Sequence, residues 1–241
     1  MKTKSKSVLF ALASVCAVVG LSLNIAHASE KAKVTVLYEG HVAPIEGKKL
    51  LPWSSHDGAR SLSTSTFVIE SGGKVLVGDP GIVRRNDWPK VMDKLAKMGI
   101  TPEDVDYVWI SHHHPDHVQH LGAFPNAPLV DFWSVYTDEL WEDHPDNFEV
   151  IPGVKVVRTP GHTDEDSSLL VDTDEGVMLI THMWWHNDMT PVSDPVAEDL
   201  PALDRNRREM LPKADLLFPL HGKVMKNPFK KKEWDGKPYA P

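Results

Sequence analysis

The chain of 241 residues carries 34 acidic against 26 basic side chains, a formal charge of −8 at pH 7, and 41% of its residues are hydrophobic. This length suffices for one domain with a substantial core, whereas the acidic balance argues against a nucleic-acid-binding surface, which needs a basic face. The only cysteine, Cys16, falls in an N-terminal apolar run, so we expect neither a disulfide nor a thiolate metal ligand in the remainder.

The first residues have the three parts of a secretory signal peptide. Three lysines precede an apolar run from Val8 to Leu23, and Ala26-His27-Ala28 is a small-x-small cleavage site. The run is too short, and wrongly flanked, for a lasting membrane anchor. We therefore predict that residues 1–28 are removed during export to the periplasm. The product, residues 29–241, is then a soluble single domain whose formal charge, after loss of the three lysines, is −11.

The first half of the remaining chain alternates β-rich runs with helical patterns. Val34–Tyr38 reads as an edge strand, and two further runs flank the turn Ser71-Gly72-Gly73 as a hairpin does. Asn86 is predicted to cap a helix that extends to Met98 and stops at Gly99, because apolar residues recur there at helical spacing. The predicted elements of this half are strands at Ser63–Glu70, Lys74–Val77 and Val105–Ile110, a helix start at Thr101–Asp104, and a loop at His41–Arg60.

The second half continues in the same style. We predict one charged helix and a series of short strands, but Trp133–Asn147, which is aromatic and acidic, receives no assignment. The order of strands and helices indicates a layered α/β architecture. The predicted elements are a helical segment at Val118–Leu121, strands at Pro128–Phe132, Phe148–Ile151, Val154–Arg158, Ser167–Val171, Val177–Thr181 and Leu216–Phe218, and a helix at Leu203–Leu211.

A cluster of histidines directly follows the apolar run Val108–Ile110. It has the pattern His-x-His-x-Asp-His and consists of His112, His114, Asp116 and His117. Imidazole and carboxylate groups are ligands that zinc and related divalent metals favour. One tight turn cannot direct all four side chains at a single ion, so the pattern predicts a pair of cations with further ligands from later in the chain. The alternative is a histidine-rich surface loop with fortuitous spacing.

Three later histidines also follow strands. His162, His182 and His221 each come after a predicted strand, at or near a Gly or Pro turn. Strands that end on the same edge of a sheet place such residues around one crevice. We therefore expect these histidines to meet the first cluster. For the other histidines, His113 is expected to play a structural role and His120 to pack, while His41, His56 and His144 are expected at the surface.

These residues resemble the metallo-β-lactamase superfamily of metal-dependent hydrolases. Its His-x-His-x-Asp-His motif matches at His112–His117, its Pro-Gly-His-Thr motif at His162, and its last histidine, next to Gly, at His221. Gly78-Asp79-Pro80-Gly81 is similar to the family's Asp-x-Gly turn, in which Asp79 would support the metal site from behind. The resemblance implies a four-layer αβ/βα sandwich, an α/β fold, with the metal site at the edges of its two sheets.

The resemblance also implies a ligand set and one departure from it. His112, His114 and His162 would form the first metal site, and Asp116, His117 and His221 the second, for one or two Zn²⁺ ions, with iron or manganese as alternatives. Many binuclear members carry a bridging Asp where this chain has His182. His182 is therefore a possible additional ligand, and Asp188 a possible substitute if the following loop folds back.

By this resemblance the protein would hydrolyse a small-molecule ester, lactone, thioester or amide. A metal-bound hydroxide would attack, and Asp116 would be the catalytic residue that orients it. Trp184, Trp185 and His186 would form a substrate wall, with two core tryptophans as the alternative interpretation. Three other readings stay open: a secreted β-lactamase, a phosphodiesterase or nuclease, and a non-catalytic metal- or ligand-binding member that lacks the bridging Asp.

Overall fold

The computed structural model describes residues 31–44, 60–84, 86–187, 194 and 196–236. The predicted signal peptide 1–28, most of the loop 45–59 with His56, and Asp188 lie outside the described residues. Two large sheets, one two-stranded sheet, three α-helices and three 3₁₀ turns make up the regular structure of the described residues. In chain order the elements are β1 (Lys33–Tyr38), β2 (His41–Pro44), β3 (Arg60–Ser63), β4 (Thr66–Ser71), β5 (Lys74–Gly78), α1 (Trp88–Lys97), β6 (Tyr107–Trp109), α2 (Pro115–Val118), β7 (Leu129–Val130), β8 (Ser134–Thr137), β9 (Leu140–Asp143), β10 (Phe148–Ile151), β11 (Val154–Arg158), β12 (Ser167–Thr173), β13 (Gly176–Thr181), α3 (Leu200–Met210), β14 (Leu216–Pro219) and β15 (Met225–Lys226).

The strands form one seven-stranded and one six-stranded sheet, together with a small hairpin. The first sheet has the order β1-β4-β5-β6-β7-β8-β9, the second has the order β10-β11-β12-β13-β14-β15, and β2 pairs with β3. Neighbouring strands are antiparallel except β5 with β6, β6 with β7, and β13 with β14. The β4–β5 hairpin turns through Gly72 and Gly73 at φ +57° and +73°, a conformation that favours glycine.

Three apolar clusters define four layers. The central cluster joins the facing sides of the two sheets, with Phe67 and Trp109 from one and Phe218 from the other. The outer face of the first sheet packs on α1 through Val91 and Leu95, while α3 covers the second sheet in a separate cluster. The αβ/βα sandwich expected from the sequence is therefore confirmed.

Most predicted strands are confirmed, and the differences lie in the connections. The predicted loop His41–Arg60 contributes strands β2 and β3 at its two ends. Trp133–Asn147, left unassigned, contains the hairpin β8–β9. The helix after the histidine motif begins inside it, at Pro115, and is followed by a 3₁₀ turn at Leu121–Ala123.

Two predicted helix starts also differ. The predicted cap at Asn86 is displaced by one residue, because Asp87 precedes α1. The predicted helix start at Thr101 is a single 3₁₀ turn, Pro102–Asp104, closed by a capping box between Thr101 and Asp104. Among the described residues, no helix combines the length and apolarity needed to cross a membrane.

Candidate metal centre

The histidine motif spans the turn after β6 and the first residues of α2. Ser111 ends the buried run, and its backbone N–H donates to Asp79 Oδ1 at 2.7 Å. His114 has extended backbone and precedes Pro115, which starts α2 and needs no N–H partner at the first helical position. The turn approaches Gly81 so closely that an added Cβ would lie 1.7 Å from the carbonyl oxygen of Asp116. Glycine is therefore required at position 81.

The later histidines come from the second sheet. His162 follows β11, and His182 and His221 follow the parallel neighbours β13 and β14, whose last residues Thr181 and Pro219 are paired. All three are buried. The edges of the two sheets therefore meet at one point, and the expectation that these strand-end histidines converge is confirmed.

The convergence produces three candidate ligand groups, within each of which the ligand atoms lie within 4.8 Å of one another. Two groups are the sets that the family resemblance implied, and the third joins His182 to one member of each. His162 Nε2 lies 3.1 Å from His114 Nδ1, and His182 Nε2 lies 3.2 Å from His221 Nε2. The groups are His112, His114 and His162; Asp116, His117 and His221; and His112, His117 and His182.

Unpartnered nitrogen atoms show that the cluster fits a divalent cation. Within the described part of the chain, His112 Nε2, His117 Nε2 and His182 Nδ1 are buried without a hydrogen-bond partner. Each such group costs the fold about 1–3 kcal/mol unless something satisfies it. Imidazoles with one carboxylate form a donor set suited to zinc, iron or manganese. A bound cation would satisfy the nitrogens that the protein leaves unpaired.

Several candidate ligands are held from behind through their other ring nitrogen. His117 Nδ1 lies 2.7 Å from Asp79 Oδ2, His162 Nδ1 lies 2.7 Å from Asp194 Oδ2, and His221 Nδ1 lies 2.8 Å from the carbonyl oxygen of Ser63. Such contacts fix the tautomer and ring orientation of a metal-binding histidine. Asp79 makes the contact that its predicted supporting role requires.

The pKa of His117 is shifted in the opposite direction from the pKa values of three other histidines in the cluster. Burial lowers the pKa of His112 and His182, and it lowers the pKa of His221 to about 4, so these imidazoles are neutral at pH 7. Burial acts in the same direction on His117, but the carboxylates of Asp79 and Asp116 outweigh it and raise its pKa to about 10. A cation must therefore displace a proton from His117.

Asp116 is ionised in the same setting. Burial raises the pKa of its carboxyl group, but the imidazoles of His117 and His221 outweigh burial, and the pKa lies well below its usual range. Asp116 Oδ2 lies 3.3 Å from His117 Nε2 and 3.5 Å from His221 Nε2. The cluster thus holds one permanent negative charge among its candidate ligands.

Two buried carboxyl groups at the site were missed by the sequence analysis. Asp166 Oδ2 accepts from the Thr163 N–H at 2.7 Å, and its Oδ1 lies 3.5 Å from His112 Nδ1. Burial raises the pKa of Asp166 to about 7. Asp194 contacts His162 from a segment with no periodic pattern. The signal for Asp166 was its position four residues after His162, just before a buried strand.

A cavity of about 520 Å³ opens onto the candidate ligands. Trp185 lines it, as predicted. The predicted pocket role of Trp184 is wrong, because its side chain is fully buried in the α3 cluster beside Trp234. His186 is exposed and lies outside the cavity lining, which also contradicts the prediction. The lining residues are Val42, Leu62, Ile82, His114, Pro115, Asp116, His162, His182, Trp185, Val196 and His221.

The remaining histidines serve the structure around the site. His113 is partly exposed and lies 3.2 Å from both Asp131 and Glu165, away from its neighbours in the motif, as expected. His120 packs, also as expected, with its ring stacked on Trp88 at 3.9 Å. The surface position predicted for His144 is wrong, because it is buried and its Nε2 lies 2.9 Å from the carbonyl oxygen of Asp131.

His41, also expected at the surface, is in fact partly buried within the β2–β3 hairpin. Its Nε2 lies 2.7 Å from Ser61 Oγ and its Nδ1 lies 2.8 Å from Ser63 Oγ. Both ring nitrogens therefore have hydroxyl partners inside the hairpin, while the residue stays partly exposed.

Comparisons with known proteins agree with this geometry. A family model described as the metallo-beta-lactamase superfamily matches residues 59–181. "Metallo-beta-lactamase domain-containing protein 1" of Xenopus laevis is 30% identical over 168 residues, which cover 66% of this chain and 70% of that protein. An N-acyl homoserine lactonase of Bacillus cereus is 31% identical over 108 residues, 38% of this chain and 43% of that protein.

A solved structure shows the same fold. It is an N-acyl homoserine lactone hydrolase with the product N-hexanoyl-L-homoserine bound at the catalytic metal center. That structure superposes with a TM-score of 0.58 at 18% identity, over 80% of this chain and 94% of that chain. At this identity the likeness concerns the fold.

Proposed function

We propose that this chain, which belongs to the metallo-β-lactamase superfamily of metal-dependent hydrolases, binds zinc at two adjacent groups of ligands. Its substrate would be a neutral ester or lactone that carries an apolar group. His112, His114 and His162 would hold one cation, and Asp116, His117 and His221 the other. His182 lies between the two groups and would complete either of them.

The observation that carries the substrate proposal is the lining of the cavity. Val42 and Leu62 on the β2–β3 hairpin, with Ile82, Trp185 and Val196, surround the candidate ligands with apolar surface. Each methylene of a substrate that this surface removes from water would add about 0.8 kcal/mol of binding. The wall therefore suits a hydrocarbon chain or ring beside the reacting carbonyl group.

Charge favours the same substrates. The described lining residues include neither Lys nor Arg, so they offer no cationic side chain for the carboxylate of a β-lactam or for a phosphodiester. Relatives named as N-acyl homoserine lactonases fit the same preference. We therefore place a neutral lactone or ester ahead of a β-lactam and a phosphodiester, and also ahead of a thioester or amide.

The reaction needs an activated water and a stabilised oxyanion. A divalent cation held by these histidines and Asp116 would supply both, since bound cations lower the pKa of water toward 7 and polarise carbonyl groups. The neutral imidazoles of His112, His182 and His221 keep their lone pairs available at pH 7. The Asp116 carboxylate, whose pKa is lowered, would accept a hydrogen bond from the attacking water and orient it toward the carbonyl carbon.

A substrate panel with metal analysis tests the proposal. Elemental analysis of protein purified without added metal should find stoichiometric zinc, with iron and manganese as the competing results. Zinc-loaded protein should hydrolyse p-nitrophenyl esters and γ-lactones better than nitrocefin or bis-p-nitrophenyl phosphate. Asp116→Ala should lower kcat/KM at least about 100-fold. Asp143→Ala, on the exposed strand β9, is the matched control and should leave it unchanged.

Each alternative has its own result in the same experiment. Preference for nitrocefin would identify a β-lactamase, and preference for the phosphodiester a phosphodiesterase. Metal binding with no turnover on any substrate would indicate a non-catalytic binding protein. Absence of any bound metal would overturn the proposed function as a whole.

A further inference from the structure

Asp194 contacts both the candidate metal centre and the cavity wall. Its Oδ2 atom lies 2.7 Å from His162 Nδ1 and accepts a hydrogen bond from Trp185 Nε1 at 3.0 Å. Its Oδ1 atom accepts from the Val196 N–H at 2.9 Å. The residue is buried. One carboxylate thus touches a candidate ligand and two residues of the wall.

The segment that follows Asp194 strengthens the same connection. The Glu198 N–H donates to the carbonyl oxygen of His162, and the Asp199 N–H to that of Gly161, both at 3.0 Å. The His162 turn and the wall residue Val196 are therefore joined by backbone as well as side-chain contacts. Movement of this segment would shift the wall and the imidazole together.

The buried charge of Asp194 is compensated locally. The guanidinium of Arg207, which is also buried, contributes favourable electrostatics with Asp194. The two carboxylate oxygens have enough lone pairs to accept all three hydrogen bonds at once.

From these contacts we propose that Asp194 is a positioning residue that ties the apolar substrate wall to the metal centre, and so controls both zinc retention and acceptance of the apolar substrate group. The substrate half of this inference rests on the proposed function, whereas the metal half does not. Asp194 holds the Nδ1 side of His162, which directs Nε2 toward His114. The same oxygen holds the Trp185 indole against the cavity.

Two single variants separate the roles. Asp194→Asn keeps the shape of the side chain but removes the charge. Its amide NH₂ cannot accept a hydrogen bond, so it loses at least one of the contacts that the carboxylate makes with His162, Trp185 and the Val196 N–H. Trp185→Phe keeps an aromatic wall but removes the Nε1–H donor. Zinc affinity is measured by competition with a chromophoric chelator. The substrate readout is the change in ln(kcat/KM) per methylene across p-nitrophenyl acetate to decanoate, with kcat and KM resolved separately.

The expected pattern is asymmetric. Asp194→Asn should weaken zinc binding about 10–100-fold and flatten the chain-length dependence through KM. Trp185→Phe should flatten the chain-length dependence but change zinc affinity less than about threefold. In the double variant, the two effects on chain length should not add, because both break the same contact. Far-ultraviolet circular dichroism confirms that each variant folds.

Three results would overturn the inference. The first is unchanged zinc affinity in folded Asp194→Asn. The second is an unchanged chain-length slope in Trp185→Phe, which tests the proposal even where Asp194→Asn does not fold. The third is full additivity in the double variant. Failure of the proposed function is a different result, seen as absence of ester hydrolysis in the zinc-loaded wild-type protein.

Discussion

Replacing Asp79 by Asn should disturb the tautomer of His117. Asp79 is fully buried. Its Oδ1 accepts from the Ser111 N–H, while its Oδ2 accepts from Ser111 Oγ and lies 2.7 Å from His117 Nδ1. An Asn that keeps its oxygen on the Ser111 N–H turns its NH₂ toward His117 Nδ1. That nitrogen would then have to accept, which moves the ring proton to Nε2, the atom needed for a cation.

The magnitude follows from two opposing effects. Loss of a carboxylate behind a metal-binding histidine weakens binding about 10–100-fold, or roughly 1.4–2.7 kcal/mol. In the wild-type protein, however, Asp79 is one of two carboxylates that raise the pKa of His117 to about 10, so a proton competes with the cation at neutral pH. Asn removes part of this competition. The zinc affinity of Asp79→Asn should therefore be only slightly below that of the wild-type protein at pH 6, and the difference should grow toward pH 9.

Zinc affinities measured by chelator competition between pH 6 and 9 test this reasoning. Calorimetry in buffers of different ionisation enthalpy counts the protons released, and the variant should release fewer than the wild-type protein at pH 7. Asp131→Asn is the matched control, because Asp131 is equally buried but caps the β8 hairpin. Equal affinities of Asp79→Asn and wild type throughout, or a difference that does not vary with pH, would refute the account of His117.

Two further variants test the packing around the centre. Burial raises the pKa of Asp166 from 3.8 to about 7, which penalises its charged form in the fold. Asp166→Asn should therefore stabilise the metal-free protein. The gain in free energy of unfolding should be up to about 3 kcal/mol larger at pH 8 than at pH 5, because the cost of burying the charged Asp166 grows as the pH rises through this interval. Urea unfolding with no such pH dependence would contradict this prediction. Gly81→Ala should destabilise the protein by about 3 kcal/mol or more and reduce zinc retention, because the added Cβ would overlap the Asp116 carbonyl oxygen. Thermal unfolding measures the loss of stability. Gly122→Ala is the control, since a Cβ at that position meets nothing within 4 Å.

The candidate ligands could be predicted because strand ends are readable in this sequence. Apolar β-rich runs stop at Gly or Pro turns, and a histidine follows within a few residues. His162, His182 and His221 needed only the rule that such ends gather at one edge of a sheet. The two predicted ligand groups correspond to candidate groups found in the structure. The third group was not predicted, because the direction of the His182 ring depends on packing.

The cavity wall was harder to predict, since its residues carry no pattern of their own. Trp184 and Trp185 are adjacent and chemically alike, yet only Trp185 faces the cavity, while Trp184 packs beside Trp234. Both residues lie in a bend after β13 ends at Thr181, where strand alternation no longer predicts which side chain faces the core. Asp194 lies in an irregular segment, where sequence gives no neighbours in space.

The hairpin β8–β9 was missed although a turn signal was present. Val135 and Tyr136 favour strands, and Asp138 adopts φ +52°, which Asp tolerates better than most residues. The acidic residues around it obscured the pattern, because β9 is an exposed edge strand with no buried face to produce alternation. Alternation of apolar and polar residues marks a strand with one buried face, so an exposed strand such as β9 lacks the pattern by which strands are predicted.

These differences imply that chemistry and specificity depend on different parts of the fold. The candidate ligands follow strands whose residues form the central core, so their positions are fixed by the same packing that stabilises the domain. Val42 and Leu62 stand on a peripheral hairpin that belongs to neither large sheet. Changes at Val42 and Leu62 should alter substrate preference while leaving the metal centre intact. Two contacts join these parts: the Ser63 carbonyl oxygen at the end of β3 lies against His221, and the Asp194 carboxylate contacts both His162 and the wall residue Trp185, so a change at Asp194 should affect the metal centre and the wall together.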